Sequence, residues 1–355
     1  MNILVLGGTG AMGTPLVQLL KKSGHEVYVT SRRDLPSDGS LHYLRGNAKD
    51  NSFLESLLQR NYDAIVDFMV YGSSELENRL PALLAHTKQY IFFSSSRVYA
   101  ASDEPITESS PRLLDVCKDL TYRQTDEYAL AKAREENLLM NGDKKNWTII
   151  RPYITYNDRR LQLGVYEKEN WLYRALQGRT IVFPADIAEK KTVLTYGPDV
   201  AAVVANLIGN EKALGQAFHI VNPETATWRD ILDIYLEIIE QKTGRRPKVK
   251  LVDNSLGLQK VWNPWQIRYD RLYNRTFDSR KVNQICGNFH YKSMREGLEE
   301  CLERFLDRPE WLGLNWRFEA WADKQSGEST SFREIKGIKS KLRYVRWRYG
   351  MELRS

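Results

Sequence analysis

Short runs of β-branched and aliphatic residues alternate with longer helical patterns over the first 150 residues. This alternation is typical of βαβ units around a parallel sheet. The runs are nearly continuous in their apolar character, as expected for strands that are buried on both faces. They predict strands at 3–6, 26–30, 41–44, 64–67, 90–93 and 147–150.

Apolar residues at helical spacing occupy the gaps between these strands. They predict helices around 16–20, 53–58 and 128–139. Beyond residue 151 the alternation breaks up into loops rich in aromatic and charged residues. The further predicted elements are helices at 171–176, 200–207, 228–243 and 293–305 and a strand at 217–221 that returns to the main sheet. The pattern therefore predicts an α/β protein, a doubly wound parallel sheet with a smaller C-terminal lobe.

Composition favours a globular chain of roughly two domains, because 355 residues at 42% hydrophobic and 27% charged can bury a substantial core. No run approaches the roughly 18 apolar residues of a membrane-spanning helix, and the mean hydropathy is -0.51. The N-terminal sequence has no signal-peptide pattern, so we do not expect secretion. Three cysteines, at spacings that fit neither a disulfide framework nor a zinc site, indicate a cytoplasmic setting. The scattered histidines lack metal-ligand spacing, so no metal is predicted.

The net charge of +7 is concentrated at the C-terminal end. Residues 331–355 hold eight basic side chains against two acids, a net +6, which leaves the other 330 residues nearly neutral. This distribution argues against a wide nucleic-acid groove, so no nucleic-acid partner is predicted. It favours a terminal contact with something anionic.

The same tail carries an apolar stripe on a basic helix. Its members recur every three or four residues and are Ile335, Ile338, Leu342, Val345 and Tyr349. Such a helix could make a peripheral contact with an anionic membrane. We favour instead the interpretation that the stripe packs on the body of the protein or on a second subunit.

A glycine-rich loop follows the first strand and opens the first helix. Glycines at 7, 10 and 13 allow a tight turn and a close approach of the backbone to a pyrophosphate, and the helix N-terminus presents unpaired N–H groups to it. The loop therefore predicts dinucleotide binding. The contacts expected from it are Gly7, Thr9, Gly10, Ala11, Met12 and Gly13.

The end of the second strand bears on which dinucleotide binds. Enzymes that prefer NAD usually place an acidic residue there for the ribose 2′-hydroxyl. This chain has Ser31, Arg32 and Arg33. An arginine can hold a 2′-phosphate in a bidentate fork, and a serine can donate a further hydrogen bond. We therefore predict NADP, with NAD as the alternative because Asp34 follows directly.

A tyrosine and a lysine lie four residues apart on the third predicted helix, so Tyr128 and Lys132 share one helix face. A phenol ordinarily titrates near pH 10, and a neighbouring cation lowers that value towards the range useful for acid–base chemistry. Three serines, at 94–96, end the fifth strand at the edge where open α/β sheets bind ligands. A serine there could hydrogen-bond the reacting oxygen beside Tyr128.

With these motifs the chain resembles the extended short-chain dehydrogenase/reductase family, also called the NAD-dependent epimerase/dehydratase family, over roughly residues 1–305. The likeness rests on GGTGAMG at 7–13, SSSRVY at 94–99, YALAK at 128–132, RPY at 151–153 and YGPDVA at 196–201. The resemblance implies a Rossmann sheet and a homodimer. With the pattern above it divides the chain into an NAD(P)-binding domain at 1–151, a substrate-binding lobe at 152–310 and a basic amphipathic tail at 311–355.

The resemblance also implies roles for individual residues. It makes Tyr128 the general acid/base, Lys132 its electrostatic partner and Ser95 the hydroxyl that polarises the carbonyl, with Ser94 and Ser96 as alternatives. The further cofactor contacts that it implies are Asn47 and Ala48 beside the adenine, Phe68, Met69 and Val70 beneath the ribose, and Pro152 and Tyr153 near the nicotinamide. The substrate contacts that we expect are Ser96, Lys191 and Arg268.

The chain departs from the family pattern at three places, and the first of them limits the type of reaction. Ser96 and Arg97 stand where the dehydratases have an Asp-Glu pair, which disfavours sugar 4,6-dehydration. Ile154 replaces an asparagine of many nucleotide-sugar enzymes. Lys191 or Thr192 stands near the place of an arginine.

We therefore predict an NAD(P)-dependent reductase of a sugar ketone, with a nucleotide-linked sugar as the expected substrate and another sugar as the alternative. A nucleotide-sugar 4-epimerase that retains its dinucleotide is the alternative, because the motifs do not report the fate of the reduced cofactor. Segments at 67–69 and 225–228 also resemble an atypical branch of the family that includes chloroplast stem-loop-binding proteins, some of which bind RNA. A dinucleotide-sensing or RNA-binding non-enzymatic protein of that branch is therefore the alternative of another class. Such a protein could lose the Tyr-Lys pair, whereas this chain has kept it.

Overall fold

The computed structural model describes residues 1–350. The strands are β1 (Asn2–Leu6), β2 (Glu26–Ser31), β3 (Leu41–Arg45), β4 (Tyr62–Asp67), β5 (Thr87–Phe93), β6 (Trp147–Pro152), β7 (Thr155–Tyr156), β8 (Ile181–Pro184), β9 (Lys191–Thr192), β10 (Thr195–Tyr196), β11 (Gln216–Ile220), β12 (Ala226–Thr227) and β13 (Val249–Val252). The helices are α1 (Gly13–Lys22), α2 (Asn51–Leu57), α3 (Ser73–Ala85), α4 (Leu113–Val116), α5 (Leu120–Arg123), α6 (Tyr128–Asn141), α7 (Lys168–Leu176), α8 (Ala185–Ala188), α9 (Gly197–Leu207), α10 (Trp228–Thr243), α11 (Pro264–Gln266), α12 (Arg280–Cys286), α13 (Met294–Asp307), α14 (Trp316–Ser326) and α15 (Ile338–Tyr349).

A seven-stranded sheet has the order β11-β6-β5-β4-β1-β2-β3, and each of its pairings is parallel. The six strands predicted in the first 150 residues are all present, with bounds within three residues of those expected. The strand expected near 217–221 is β11, which pairs with β6. The prediction of an α/β fold with a doubly wound parallel sheet is confirmed.

Both faces of the sheet are covered, which explains the nearly continuous apolar character of its strands. Successive residues of β1 point to opposite faces. Ile3 and Val5 belong to an apolar cluster with residues of α1 and α9, whereas Leu4 and Leu6 belong to a second cluster with residues of α2 and α3. Each fully buried aliphatic side chain contributes roughly 1.5–3 kcal/mol to the free energy of unfolding. The two clusters fix the sheet, and its strand ends provide rigid positions for a site.

The chain divides into two compact units. Unit 1 comprises Met1–Tyr156, Val193–Glu224 and Thr276–Met294, and unit 2 comprises Asn157–Thr192, Thr225–Arg275 and the chain from Arg295 onward. Unit 1 contains the seven-stranded sheet. The chain therefore passes between the units several times, whereas the sequence pattern predicted consecutive segments.

Unit 2 consists of helices with two short strand pairs, β8 with β13 and β9 with β12. At its centre Arg174 of α7 is fully buried and lies 2.8 Å from a carboxylate oxygen of both Glu319 and Asp323 in α14. Burial raises the pKa of Glu319 to about 7, although Arg174 opposes the shift. Buried charges are tolerated only when they are paired and hydrogen-bonded. This cluster therefore joins α7 to α14.

Helix α15 packs against α14 through a face that contains Tyr344 and Trp347. Tyr344 is buried, and its hydroxyl donates to Asp323 Oδ2 at 2.6 Å and accepts from the Thr330 N–H at 2.9 Å. Ile335 is buried in the same contact. The helix is thus anchored by hydrogen bonds to the acidic side of the Arg174 cluster.

Part of the predicted apolar stripe of the tail packs on the body of the protein, and the rest is exposed. Ile335 packs on the body, whereas the four members within α15 are exposed and do not pack on it, so packing of these four on a second subunit stays a prediction. The physical reason is that Tyr344 and Trp347, which lie outside the stripe, form the docking face of the helix. None of the helices within residues 1–350 combines the length and apolarity that a bilayer crossing requires.

Candidate active site

The loop between β1 and α1 has the close backbone approach that its glycines predicted. Gly7 has a φ of +74°, and its N–H donates to Thr30 Oγ1 at 3.0 Å. A Cβ at Gly7 would lie 2.9 Å from Met69 Sδ. A Cβ at Gly13 would lie 2.7 Å from backbone atoms of Gly8, so only glycine lets α1 start this close to the strand.

Gly10 differs from its neighbours because a Cβ there would meet no atom within 4 Å. Its backbone faces open space. Thr9, Ala11 and Met12 beside it are partly buried. Within the described chain α1 has no side chain hydrogen-bonded at its N-cap and no acidic residue in its first turn. The Thr14 N–H donates to the carbonyl of Gly10 at 3.0 Å and Pro15 has no N–H, so the Gly13 N–H is the one that the first three residues of α1 leave for an anion. The positive end of the helix dipole favours an anion there.

The end of β2 presents two arginines to solvent. Ser31 is buried and its Oγ accepts from the Arg33 N–H at 3.0 Å, whereas Arg32 and Arg33 are exposed. No ion pair engages either guanidinium within residues 1–350. Asp34, the residue that offered an NAD contact, lies 3.8 Å from Arg45, and both are largely exposed. The geometry thus leaves two cations beside the predicted ribose position.

The turn after β3 is held by a residue that sequence reasoning missed. Arg79 of α3 is buried, and its guanidinium donates to the carbonyl of Ala48 at 2.9 Å and to the carbonyl of Lys49. Asn47 is exposed and its Oδ1 accepts from the Lys49 N–H. Arg79 lies about thirty residues from this turn, and no local pattern links the two.

The end of β4 carries a buried carboxyl group. Asp67 accepts hydrogen bonds from the hydroxyls of Tyr71 (3.0 Å) and Tyr90 (2.8 Å) and from the Met69 N–H (2.9 Å). Burial raises the pKa of Asp67, and these three hydrogen bonds oppose the shift. The backbone of the predicted ribose segment is therefore fixed at its start.

The rest of that segment packs partly on the sheet. The ring of Phe68 stacks on Phe93 with centroids 4.1 Å apart, and Val70 is exposed. Near the predicted nicotinamide position, Tyr153 is buried against Phe277, and Pro152 is partly exposed. These aromatic contacts give both segments a rigid apolar base.

The three serines at the end of β5 have different hydrogen-bond partners. Ser94 Oγ donates to Glu136 Oε1 at 2.6 Å, and Ser96 Oγ donates to the carbonyl of Arg151 at 2.8 Å. Ser95 Oγ accepts from the Arg97 N–H at 3.2 Å, and within residues 1–350 its hydroxyl has no acceptor. Only Ser95 therefore keeps a proton to donate to a ligand.

Tyr128 is the first residue of α6 and is 36% exposed, so its phenol is accessible. The guanidinium of Arg97 lies over its ring, 5.4 Å from the centroid. Arg97 is in turn held by Glu127 at 2.7 Å, and the Glu127 carboxylate also accepts from the Tyr122 hydroxyl and the Ala129 N–H. Glu127 thus caps α6 and positions a cation on the face of Tyr128.

Arg97 and Glu127 were not among the predicted site residues. The signal that could have found Arg97 was its departure from the family pattern, since an arginine replaces an acid there. No comparable signal marked Glu127.

Lys132 lies one turn after Tyr128 and is buried. Its Nζ is 2.8 Å from Glu135 Oε2 and 4.6 Å from the centroid of the Phe92 ring. Burial raises the pKa of Glu135, and Lys132 opposes the shift. Glu135 Oε1 is buried with no hydrogen-bond partner among the described residues. A hydroxyl group of a ligand beside Lys132 would supply the missing donor.

The last motif of unit 1 supports the glycine loop. Gly197 begins α9, and a Cβ there would lie 2.9 Å from the carbonyl oxygen of Ala11 and 3.3 Å from that of Tyr156. Ile154 has a φ of +32°, a conformation that β-branched residues rarely adopt and asparagine adopts more readily. The departure at Ile154 therefore adds backbone strain beside the predicted nicotinamide segment.

The candidate substrate residues belong to different units. Ser96 lies in unit 1, and Lys191 and Arg268 lie in unit 2. Lys191 is exposed on β9. Arg268 donates to Gln259 Oε1 at 2.7 Å and lies over the ring of Trp265. Among residues 1–350 no three His, Cys, Asp or Glu side chains form a group that could hold a metal ion.

Unit 1 is thus a Rossmann-like α/β fold whose first strand and helix are joined by a glycine loop. A family model described as NAD dependent epimerase/dehydratase family matches residues 3–220. The chain belongs to this family.

Among curated proteins the chain is similar to the chloroplast stem-loop binding protein of 41 kDa b of Arabidopsis thaliana, with 29% identity over 244 residues, 64% of this chain and 60% of that protein. It is also similar to 2′-dehydrokanamycin reductase of Streptomyces kanamyceticus, with 24% identity over 239 residues, 66% of this chain and 65% of the reductase. The chain thus spans less than two thirds of the length of each.

The fold is shared with solved structures. UDP-glucuronic acid 4-epimerase from Bacillus cereus, in complex with UDP-glucuronic acid and NAD, has a TM-score of 0.66 and 18% identity over 86% of this chain and 99% of the epimerase. At this identity the likeness shows the common fold.

Proposed function

We propose that this protein is an NADP-dependent oxidoreductase that reduces a ketone on a nucleotide-linked sugar. The observation that carries the proposal is the arrangement of hydroxyls in unit 1. Of the three serines at the end of β5, only Ser95 keeps a proton to donate. Ser95 lies two residues before Arg97, whose guanidinium lies over the ring of the accessible Tyr128. A carbonyl oxygen needs two such donors as negative charge develops on it.

The glycine loop fits a dinucleotide. The open space at Gly10 and the uncapped start of α1 suit a pyrophosphate. Asn47, Ala48 and the 68–70 segment would line the adenosine half, and Pro152 and Tyr153 the nicotinamide half. The bound dinucleotide would supply the hydride.

The residues of α6 and β5 would handle the proton. Tyr128 would donate its phenolic proton to the carbonyl oxygen, and Ser95 would hold that oxygen by a hydrogen bond. Lys132 would stabilise the phenolate that remains and would bind the ribose hydroxyls. A ribose hydroxyl that donates to Glu135 Oε1 would also satisfy that orphaned atom.

The choice of NADP rests on the end of β2. Arg32 and Arg33 are exposed and have no acidic partner within the described chain, and Asp34 lies beside Arg45. A 2′-phosphate would gain charge-assisted hydrogen bonds from the two arginines, whereas a 2′-hydroxyl would leave them unused. Because NADPH is the usual donor for a net reduction, this supports a reductase over an epimerase.

The relatives support the substrate class. The Bacillus cereus epimerase is complexed with UDP-glucuronic acid, and the Streptomyces relative is named as a reductase. Lys191 and Arg268 remain the proposed substrate contacts, whereas the Ser96 side chain is fully buried and its hydroxyl donates to the carbonyl of Arg151. A homodimer remains a prediction.

The test begins with protein purified without added ligand. We would denature it, identify any released dinucleotide by mass spectrometry, and titrate the remaining protein with NADPH and NADH. Empty protein that binds NADPH more tightly supports an exchangeable donor and hence a reductase. Retained dinucleotide would replace that proposal by a 4-epimerase. Binding of neither would contradict both.

The Arabidopsis relative favours a second candidate function, binding of a nucleic-acid stem-loop. Its test is a gel shift with a stem-loop RNA at physiological salt, run beside the dinucleotide titration. A shifted band together with no dinucleotide binding would favour the second candidate. The nearly neutral charge of residues 1–330 argues against it.

A further inference from the structure

Helix α15 turns an apolar stripe towards solvent. Ile338, Leu342, Val345 and Tyr349 are 78%, 65%, 37% and 63% exposed. At 3.6 residues per turn these four positions fall within an arc of about 60°. Exposed apolar residues scattered singly are ordinary, but an aligned set on one helix indicates an interaction surface.

The helix is fixed with this stripe outward. Tyr344 and Trp347 occupy the other side of α15 and pack with α14, and the Tyr344 hydroxyl is hydrogen-bonded to Asp323 and Thr330. Rotating the stripe inward would break these buried hydrogen bonds. The exposure of the stripe is therefore a consequence of how the helix is anchored.

Cations flank the stripe on both sides. Lys341 and Arg348 lie along one edge, Lys339 and Arg346 lie along the other, and Arg343 lies farther round. Helix α15 contains no acidic residue. Lys339, Lys341, Arg343 and Arg346 make no ion pair within residues 1–350. Glu334, the acid that precedes the helix, is paired with Arg179 at 3.0 Å and does not offset this charge.

We propose that α15 binds the surface of an anionic lipid bilayer. The stripe would enter the boundary between headgroups and acyl chains, with the helix parallel to the bilayer plane. Lys339, Lys341 and Arg346 would reach the headgroup phosphates, whereas the half-buried Arg348 donates to the carbonyl of Glu328 at 3.1 Å. The proposal concerns unit 2 and does not depend on the reaction proposed for unit 1.

Charge and polarity favour this occupant over two others. A polynucleotide offers phosphates for the cations but no apolar layer for Ile338 and Leu342. A second copy of the chain, paired through the same stripe, would bring two sets of unpaired cations together. An anionic bilayer accommodates both the stripe and the cations.

The experiment is co-sedimentation of the full-length protein with vesicles of phosphatidylcholine alone or with 30% phosphatidylglycerol. We expect binding to the anionic vesicles and little to the neutral ones. Leu342→Ser should lower the partition coefficient about tenfold. The double variant Lys341→Ala/Arg346→Ala should lower it about fivefold for each charge removed.

Leu256→Ser is the matched control, since Leu256 is 64% exposed in unit 2 but lies outside α15. It should bind anionic vesicles as the wild type does. All four substituted side chains are exposed, so circular dichroism should show unchanged folding. The proposal is overturned if anionic vesicles do not bind, if Leu342→Ser binds as the wild type does, or if Leu256→Ser loses as much. Binding of a single-stranded RNA in place of vesicles would assign the surface to nucleic acid instead.

Discussion

Each unit contains a buried arginine, and the two arginines hold different parts of the fold together. In unit 1 Arg151 forms a bidentate ion pair with Glu136 beneath the end of β5, and Glu136 also accepts from Ser94. In unit 2 Arg174 joins α7 to α14 through Glu319 and Asp323. The first pair lies under a strand end and fixes one of the three serines. The second pair joins two helices that are distant in the sequence.

This difference suggests that the candidate site of unit 1 determines activity, whereas the buried charges of unit 2 determine stability. The candidate site of unit 1 lies on a sheet whose apolar clusters already fix the strand ends, so the accessible side chains there can be exchanged at small structural cost. The core of unit 2 contains charges that must stay paired. We therefore expect substitutions at the site to affect activity and binding, and substitutions in the Arg174 cluster to affect folding.

The largest effect is expected from Tyr128→Phe. The phenylalanine keeps the ring under Arg97 and removes the proton donor, so turnover should fall about 10²–10⁴-fold. Dinucleotide affinity and the unfolding midpoint should stay near those of the wild type. The measurement is a steady-state assay, on a substrate from a panel of nucleotide-linked keto sugars, with NADPH titration in parallel.

Tyr122→Phe is the matched control for that variant. The Tyr122 hydroxyl donates to Glu127, and the residue is fully buried. Its removal should cost some stability with little loss of turnover. Undiminished turnover of Tyr128→Phe would remove Tyr128 from the mechanism.

Arg174→Met should have the largest effect on stability. It leaves Asp323 buried without its cation and leaves Glu319 with Arg179 alone, at 3.7 Å, and such losses cost about 3–5 kcal/mol. Urea unfolding followed by tryptophan fluorescence measures this directly, because eight of the nine tryptophans lie in unit 2.

The control is Arg160→Met in the same unit. Arg160 and Glu167 form an exposed pair at 3.3 Å, and breaking it should cost no more than about 1 kcal/mol. Equal unfolding energies for the two variants would contradict the distinction that we draw between the units.

The sequence predicts the parts of unit 1 that depend on local patterns. Strands buried on both faces read as apolar runs, and Tyr128 and Lys132 share a helix face because they are four residues apart. The glycine loop is recognisable because its glycines are spaced where the backbone has to turn tightly and approach its neighbours closely. Among the three serines, the sequence alone could not separate Ser95 from Ser94, because the distinction depends on Glu136, 42 residues away.

The parts that escaped prediction depend on partners that are distant in sequence. Arg79 reaches the 48–49 turn across about thirty residues, and Arg174 meets Glu319 across 145. No periodicity records such contacts. The stripe on α15 is visible in the sequence as a pattern. The face of the helix that packs on α14 is determined by Tyr344, whose partner Asp323 lies on another helix. Periodicity identifies an apolar face without saying what covers it.

A smaller effect is expected at the end of β2. Arg32→Ser and Arg33→Ser should each raise the Kd for NADPH about tenfold, because each removes a charge-assisted hydrogen bond to the 2′-phosphate. The Kd for NADH should change little. Isothermal titration measures both.

Lys22→Ser serves as the control for these variants. Lys22 is an exposed cation at the other end of α1, so it tests the general loss of positive charge in unit 1. Its affinity for NADPH should equal that of the wild type. Equal losses of NADPH and NADH affinity in the arginine variants would contradict the NADP preference.

The smallest effect concerns pH and the core of unit 1. His219 is buried, and because its Nε2 lies 2.8 Å from the Asp278 carbonyl, Nε2 carries the proton and Nδ1 faces the Tyr99 hydroxyl. Burial lowers the pKa of His219 below 6.5, although Glu108 opposes the shift. Just below pH 6.5 the unfolded chain therefore binds a proton at His219, whereas the folded chain keeps this imidazole neutral. This contribution to stability is complete above pH 6.5 and is lost as the pH falls through the lowered pKa.

His219→Gln tests this without removing the donor to Asp278. Between pH 7.5 and 5.5 the free energy of unfolding of the wild type should fall by about 1 kcal/mol more than that of the variant. Urea titrations followed by circular dichroism give both slopes. His290→Gln, which changes an exposed histidine of the same unit, should keep the slope of the wild type. A slope that His219→Gln leaves unchanged would mean that the core of unit 1 is insensitive to this proton, and that its pH dependence arises from other groups.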